Sequence, residues 1–270
     1  MRVFLLYVSL VMTSNLYAAA CDTSAMVDNC SVTPTAAKFT FLAIGLCSGL
    51  PTLPAVGTAF NYDNCTLIYD KLNQNGQGIE FAGRGDYGSL LNDLTIPPNG
   101  TYDYFVWGVS SEWAFKLAMN FPTTTKTHGT SEAVTSGKYC RTISGTNIGA
   151  DGTQDETAQC SSTYQEPEFT TINLWYSGGI DTNQYFNSNY DAYYIKSDLT
   201  LATSFSDVAA VIAIHQPSSP IVITDNTTEL IFDWDFDELI RVDIDNGSVG
   251  EMSGWFFPYF GSPALTISTN

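Results

Sequence analysis

Acidic side chains recur at every second position near the C-terminus. Asp233, Asp235 and Asp237 alternate with Phe232, Trp234 and Phe236, and Arg241, Asp243 and Asp245 alternate with Ile240, Val242 and Ile244. Successive side chains of a strand point to opposite faces, so each run sets an apolar row against a polar one. Carboxylate rows that approach one another repel unless they are solvated or share a cation. Asp233, Asp235, Asp243 and Asp245 are therefore the candidate ligands of a weak calcium site, with a solvated acidic sheet face as the alternative. EF-hand spacing fails because Glu238 stands where that loop needs Gly. No other cofactor is implied.

The second chemical set is the cysteines: Cys21, Cys30, Cys47, Cys65, Cys140 and Cys160. No C-x-x-C occurs and only His128 and His215 are available, which argues against zinc. An even count behind an export signal reads as three disulfides. Neighbours in sequence suggest Cys21–Cys30, Cys47–Cys65 and Cys140–Cys160, each short loop contributing roughly 2–4 kcal/mol.

Catalytic signatures are missing. The chain has no H-E-x-x-H, no G-x-S-x-G, no phosphate-binding loop and no dinucleotide fingerprint. His128 falls in a Thr-rich stretch and reads as a solvated loop residue, and His215 ends an apolar run and reads as a rim histidine. Glu112, beside Trp113, is the one carboxylate in an aromatic run and the nearest thing to a glycosidase acid. The reading is that the chain is not an enzyme.

These residues need a frame, and composition describes it. The 270 residues carry 10 basic and 28 acidic side chains, a net charge of −18. Without the first twenty residues, which carry only Arg2, the balance is 9 − 28 = −19. Such a balance argues against nucleic acid or an anionic membrane as partner. Arg2, the apolar run at 3–12 and Ala18-Ala19-Ala20 form a signal peptide over residues 1–20. No stretch is long enough to span a bilayer as a helix. The expected location is secreted, extracellular or on the cell surface. Ala19-Ala20-Cys21 also resembles a lipoprotein box, in which Cys21 is lipidated. Ala18 stands where that box prefers Leu, and lipidation leaves an odd thiol.

Fifteen Tyr and 16 Phe favour strands. Short strand candidates separated by Gly, Pro, Asn and Asp run at 38–47, 65–70, 101–109, 113–120, 138–143 and 170–176. They continue at 192–201, 208–215, 221–224, 229–236, 239–245, 255–260 and 264–268. Pro97-Pro98-Asn99-Gly100 is a turn feeding a strand, and Tyr102 can close that corner on nearby backbone. Polar stretches at 122–137 and 144–167 read as long loops. Residues 177–194, rich in Tyr, Asn and Asp, have the composition of a binding loop.

The frame of Ala43–Cys47 (AIGLC), Asn64–Asp70 (NCTLIYD) and Ile96–Tyr104 (IPPNGTYDY) resembles exported β-rich surface proteins of marine bacteria, a group with no assigned activity. The likeness covers roughly residues 33–120. It implies an exported β protein of a bacterial surface and transfers no functional residue.

The expected fold is all-β: an antiparallel β-sandwich, jelly-roll or Ig-like, over 21–270, with room for a smaller β subdomain and a subdivision near 120–170. The leading functional expectation is a secreted or cell-surface structural and adhesive protein, such as a subunit of an extracellular filament or matrix, partnered by itself or another surface protein. The alternatives are a carbohydrate-binding module or calcium-dependent lectin with a glycan partner, and a secreted glycoside hydrolase.

Overall fold

The computed structural model describes residues 5–10, 30–72, 74, 76–81, 87–89, 94–128, 136–147, 158–173, 185–187, 190–234, 240–245, 251–258 and 266–269. The strands in chain order are β1 (Leu5–Leu10), β2 (Cys30–Val32), β3 (Ala36–Cys47), β4 (Cys65–Asp70), β5 (Gln77–Phe81), β6 (Tyr87–Ser89), β7 (Gly100–Tyr102) and β8 (Tyr104–Ser110). Next come β9 (Glu112–Lys116), β10 (Ala118–His128), β11 (Ser136–Thr142), β12 (Gly145–Asn147), β13 (Ala158–Ser161), β14 (Thr170–Asn173), β15 (Tyr185–Asn187) and β16 (Tyr190–Ile195). The last are β17 (Ala210–His215), β18 (Ile221–Ile223), β19 (Glu229–Trp234), β20 (Ile240–Asp245), β21 (Glu251–Pro258) and β22 (Thr266–Thr269). A single 3-10 turn, Phe205–Asp207, is the one helical element among the described residues. The all-β expectation holds.

The body is a ten-stranded sheet in the order β12-β14-β9-β3-β8-β17-β16-β15, with β4 and β5 also on β3. Smaller sheets of six (β13-β11-β10-β21-β20-β2), four (β22-β19-β1-β6) and two strands (β18-β7) accompany it. β3 organises the large sheet because its twelve residues serve four partners. One edge takes β9 at Ala36–Lys38 and then β8 at Phe41–Cys47; the other takes β5 and then β4.

Both faces of this sheet are filled. Along β8, Phe105, Trp107 and Val109 enter one apolar cluster while Val106 enters a second. β17 repeats the division, with Val211 and Ala213 on the first side and Ala210, Ile212 and Ile214 on the other. Burial on both faces explains why these strands are continuous apolar runs without polar alternation. The first cluster also takes Leu117, Met119 and Phe121 from β9–β10, Cys140 from β11, Ile221 from β18 and Leu230 from β19. The smaller sheets thus pack on the large one through shared core. The second cluster is closed by the 50–64 loop through Phe60, Leu53 and Tyr62.

A β-bulge sets the phase of β3. Phe41 pairs with Val109 and Ala43 with Gly108, so Leu42 is the extra residue. Before it the first cluster receives Ala37, Phe39 and Phe41; after it, Ile44 and Leu46. One inserted residue has moved the inward face from odd to even positions. Gly108 faces Ala43 across this junction, and a Cβ there would come within 2.8 Å of Ile212 Cδ1.

Several expectations need correction. The stretch at 122–137, read as a polar loop, carries β10 through to His128. Its β-branched threonines favour extended backbone. Pro122, which lacks an N–H for the ladder, falls where the β10–β11 register shifts between Asn120 and Thr125. The 144–167 stretch contains β12 and β13, and 177–194 contains β15 and the start of β16. β1, β2, β5 and β6 had no counterpart among the expected strands.

The corner at Tyr102 forms as expected. Tyr102 is buried, and its hydroxyl donates to the Pro98 carbonyl at 2.8 Å. Asn99 Nδ2 donates to Asp225 Oδ1 at 3.0 Å, tying this turn to the one after β18. Tyr102→Phe leaves that carbonyl without its donor, and chemical denaturation is expected to show a loss of about 1 kcal/mol.

Candidate functional site

Two of the expected disulfides are formed. Cys47 and Cys65 lie directly opposite one another on β3 and β4, and Cys140 and Cys160 on β11 and β13. Their Cα separations, 3.9 and 4.0 Å, suit the narrow positions of antiparallel ladders, where opposed side chains are closest. There is no free cysteine among the described residues. Cys21 lies outside them, and with it the Cys21–Cys30 expectation. Paired cysteines of this kind belong to oxidising compartments. Among the described residues no helix is long and apolar enough to cross a membrane.

The Cys47–Cys65 bond closes the base of the 48–64 loop, which was not singled out from sequence. Above the bond Ser48 N–H donates to Asn64 O at 2.9 Å, with Asn64 in the left-handed region at φ 68°. The loop folds as a ribbon, with Thr52 against Asn61 and Ala55 against Thr58. Gly57, at φ 77°, makes the tip. Phe60 N–H donates to Leu199 O and Leu201 N–H to Ala55 O, which fastens the ribbon to the 196–201 turn. That turn is shaped by Asp198, whose carboxylate accepts from the Thr200 hydroxyl and N–H and is thereby held below the usual carboxylate range. Phe60 and Tyr62 stack edge to face at 4.7 Å underneath. The Tyr62 hydroxyl is buried without a partner among the described residues. Burial, aided by the charge of Asp70, pushes its ionisation well above the ordinary tyrosine value. The outer surface carries Leu50 and Val56, 51% and 68% exposed. The result is a clamped loop with two exposed apolar side chains, Val56 at the tip beside Gly57 and Leu50 near the base.

A second fixed point is Arg141, beside the Cys140–Cys160 bond. Its guanidinium donates to Glu168 Oε1 at 2.9 Å, to the Glu166 carbonyl at 2.8 Å and to Gln165 Oε1 at 3.2 Å. Glu168 also accepts from the Ser144 N–H. The Arg141 hydrogen bond, then those from Ser144, hold the Glu168 carboxyl below its usual range. Thr142, fully buried, accepts from the Leu117 N–H and donates to the Glu168 carbonyl. A depressed carboxyl contributes stability above its unfolded pKa and loses it as pH falls through the folded one. The Tm advantage of the wild type over Glu168→Gln is therefore expected to be full at neutral pH. It should shrink below about pH 4.5, the ordinary value for this group. An advantage independent of pH between about 7 and 3 would contradict this.

Lys38 and Lys116, from paired segments of β3 and β9, both stand over the Phe169 ring at 4.0 and 4.5 Å. Lys38 also meets Glu80 at 2.8 Å, which offsets one of the two ammonium charges.

The other singled-out residues are dispersed. Glu112 is exposed on β9, while its neighbour Trp113 is buried edge to face on Phe39 at 4.5 Å. Strand alternation has separated the carboxylate from the aromatics. His215 is buried at the end of β17, between Phe105 of β8 and Tyr190 of β16 in register. His128 ends β10 opposite Ser253 of β21 and is a strand residue. The two aspartate runs belong to different sheets: Asp233 of β19 is level with Ser9 and Thr266, Asp243 of β20 with Ser253, and Asp245 with Glu251. Asp235 lies outside the described residues, as do residues 177–184 of the Tyr- and Asn-rich stretch. Among the described residues no group of three metal-ligating side chains comes together. If Asp233, Asp235, Asp243 and Asp245 share calcium, millimolar calcium should raise Tm by mass action, and the Asp235→Asn/Asp243→Asn pair should abolish the rise. An unchanged Tm would leave them as a solvated acidic surface.

No family model, curated protein or solved structure matches the chain.

Proposed function

We propose that this is a secreted or cell-surface structural and adhesive protein that works by contact, with further copies of itself or with another surface protein, as the subunit of an extracellular filament or matrix does. One observation carries the reading: the clamped loop at 48–64. It is clamped by Cys47–Cys65, hydrogen-bonded to the 196–201 turn, and exposes Leu50 near its base and Val56 at its tip. A loop already fixed has little conformational entropy left to lose on contact. Exposed apolar side chains on such a loop are surface that a partner can cover. The disulfides and the doubly filled central sheet support the same reading, since both favour a durable body over a moving one.

The test is electron microscopy and surface-adhesion measurement of the purified native protein beside the Leu50→Asp/Val56→Asp pair. Assemblies or adhesion in the native protein, lost in the pair at an unchanged Tm, are expected. A native protein that neither assembles nor adheres at high concentration would reject the reading.

A further inference from the structure

Tyr164 is the one exposed aromatic side chain among the described residues, at 56%, yet its surroundings are fixed. It lies in the segment 161–168, which leaves β13 just after the Cys140–Cys160 bond. The segment is fastened along its length. The Ser161 hydroxyl donates to the Thr163 carbonyl, Arg141 donates to the Glu166 carbonyl at 2.8 Å, Pro167 is buried, and the Glu168 N–H donates to the Thr142 carbonyl at 3.0 Å. The Tyr164 ring meets Tyr139 of β11 edge to face, with centroids 6.4 Å apart and planes at 87°. One such neighbour covers at most one face of the ring, so a ring face stays open to solvent. Polar groups border it. Arg141 Nε donates to Gln165 Oε1 at 3.2 Å, which occupies the oxygen of that amide and turns its NH2 away as a donor. Glu166 supplies an acceptor beside the Tyr164 hydroxyl: desolvation, then hydrogen bonding to this carboxylate, raise the phenol above its ordinary range. Asn120 of β10, exposed and level with Tyr139, adds a second amide.

We propose that Tyr164, with Gln165, Glu166 and Asn120 around it, is a binding site for a pyranose ring of a neutral glycan. One face of such a sugar is a set of C–H groups made partly positive by their neighbouring oxygens, which suits the negative face of an aromatic ring. Its rim of hydroxyls both donates and accepts, which suits a carboxylate set beside amide donors. Charge selects the class of glycan. The Arg141 guanidinium is already committed to Glu168, Gln165 and the Glu166 carbonyl, and Lys138 is on the face of β11 opposite Tyr139. A uronate or sulfate group would therefore meet Glu166 with no cation to offset it, on a chain whose net charge is −18. A single open ring also fits one sugar unit better than a Pro-rich peptide, which docks in an aromatic-lined groove. Because the segment is held before contact, binding orders little that was free. The site uses no residue of the 48–64 loop, so the two readings stand or fall separately.

Affinity electrophoresis tests the site. The native protein is run through gels that hold a soluble neutral β-glucan, mannan or galactan, and through gels that hold alginate, a polyuronate. At least one neutral polymer is expected to retard the protein, and alginate is expected to have no effect. Tyr164→Ala should weaken the retardation by about tenfold or more in Kd at an unchanged Tm, because the ring it removes is exposed. Tyr164→Phe keeps the ring face and should keep most of the binding. If Tyr164→Ala also lowers Tm, the unmodified chain decides: the polymer that retards it should slow nitration of Tyr164 by tetranitromethane, read by peptide mass spectrometry. Retardation by none of the neutral polymers, retardation that Tyr164→Ala leaves intact, stronger retardation by alginate, or nitration of Tyr164 at an unchanged rate overturns the proposal. Binding of a polyproline peptide with no polysaccharide bound overturns it as well.

Discussion

Phe105→Ala is expected to cost about 3–5 kcal/mol, at the upper end of what one buried side chain contributes. Phe105 is 2% exposed and sits on β8, level with Leu46 of β3 on one side and His215 of β17 on the other. Truncation removes the ring from water-free surroundings and leaves a cavity. The cost of a cavity depends on whether its walls can close. Here they belong to three adjacent strands of the ten-stranded sheet, held at ladder spacing by their own hydrogen bonds. The smaller sheets press on the same cluster through residues such as Phe121 and Leu230, both 1% exposed or less. Collapse would break backbone pairing, so the cavity persists. Urea unfolding should show a lowered midpoint with an unchanged slope, and Tm should fall on the order of 10 °C. Val222→Ala on β18, at a site 49% exposed, is the control and should stay within about 0.5 kcal/mol. Equal losses in the two variants would mean that the doubly filled sheet is not the stabilising core.

The same packing explains what the sequence could and could not reveal. Cys65–Asp70 is a strand in the structure with the bounds that sequence suggested, because turn residues delimit it: Asn64 takes a left-handed conformation before it and the Asp70 carboxylate accepts the Leu72 N–H after it. The run at 38–47 was legible as a strand, but its inward face was not. The switch at Leu42 depends on how β3 meets β8, a partner more than sixty positions away. Alternation at 229–245 correctly suggested two strands. Local alternation carries no information about partners, however, and β19 and β20 join different sheets. Pro122 and the threonines after it looked like a loop because each has a place in turns, while the irregular register that accommodates the proline is a tertiary feature. Of the proposed contact surface, the disulfides were readable from parity and proximity in the chain. The loop that Cys47–Cys65 clamps was not, since Leu50 and Val56 are unremarkable in sequence and stand out only once the loop is closed. Arg141 was equally silent: its partners at 165–168 are assembled by the β11–β13 pairing.

Removal of both described disulfides is expected to be the most damaging covalent change, about 6 kcal/mol in total. Each closes a short stretch of chain, with sequence separations of 18 and 20 residues. Restricting an unfolded loop of that length is worth about 3 kcal/mol at 25 °C in the chain-entropy account. The two bonds restrain different sheets, Cys47–Cys65 the large one and Cys140–Cys160 the six-stranded one. With no shared strand pair, their effects should add. Typical domains have only about 5–15 kcal/mol in all, so the Cys→Ala change at all four positions should bring the protein close to unfolding at physiological temperature, while either pair alone leaves it folded. Calorimetry of the three variants checks both size and additivity. Reduction of the wild type should then follow burial. Thiol–disulfide exchange needs access to sulfur. Cys65 is half-buried, whereas Cys140 and Cys160 are 2% and 3% exposed, so the first attack falls on Cys47–Cys65. Timed alkylation with mass spectrometry should capture a species with Cys47 and Cys65 alkylated and the other bond intact. Because Cys47–Cys65 closes the base of the 48–64 loop, the proposed contact role predicts that this species loses adhesion before it loses its fold. Loss of adhesion only at global unfolding would mean that the clamp contributes stability and has no separate part in contact.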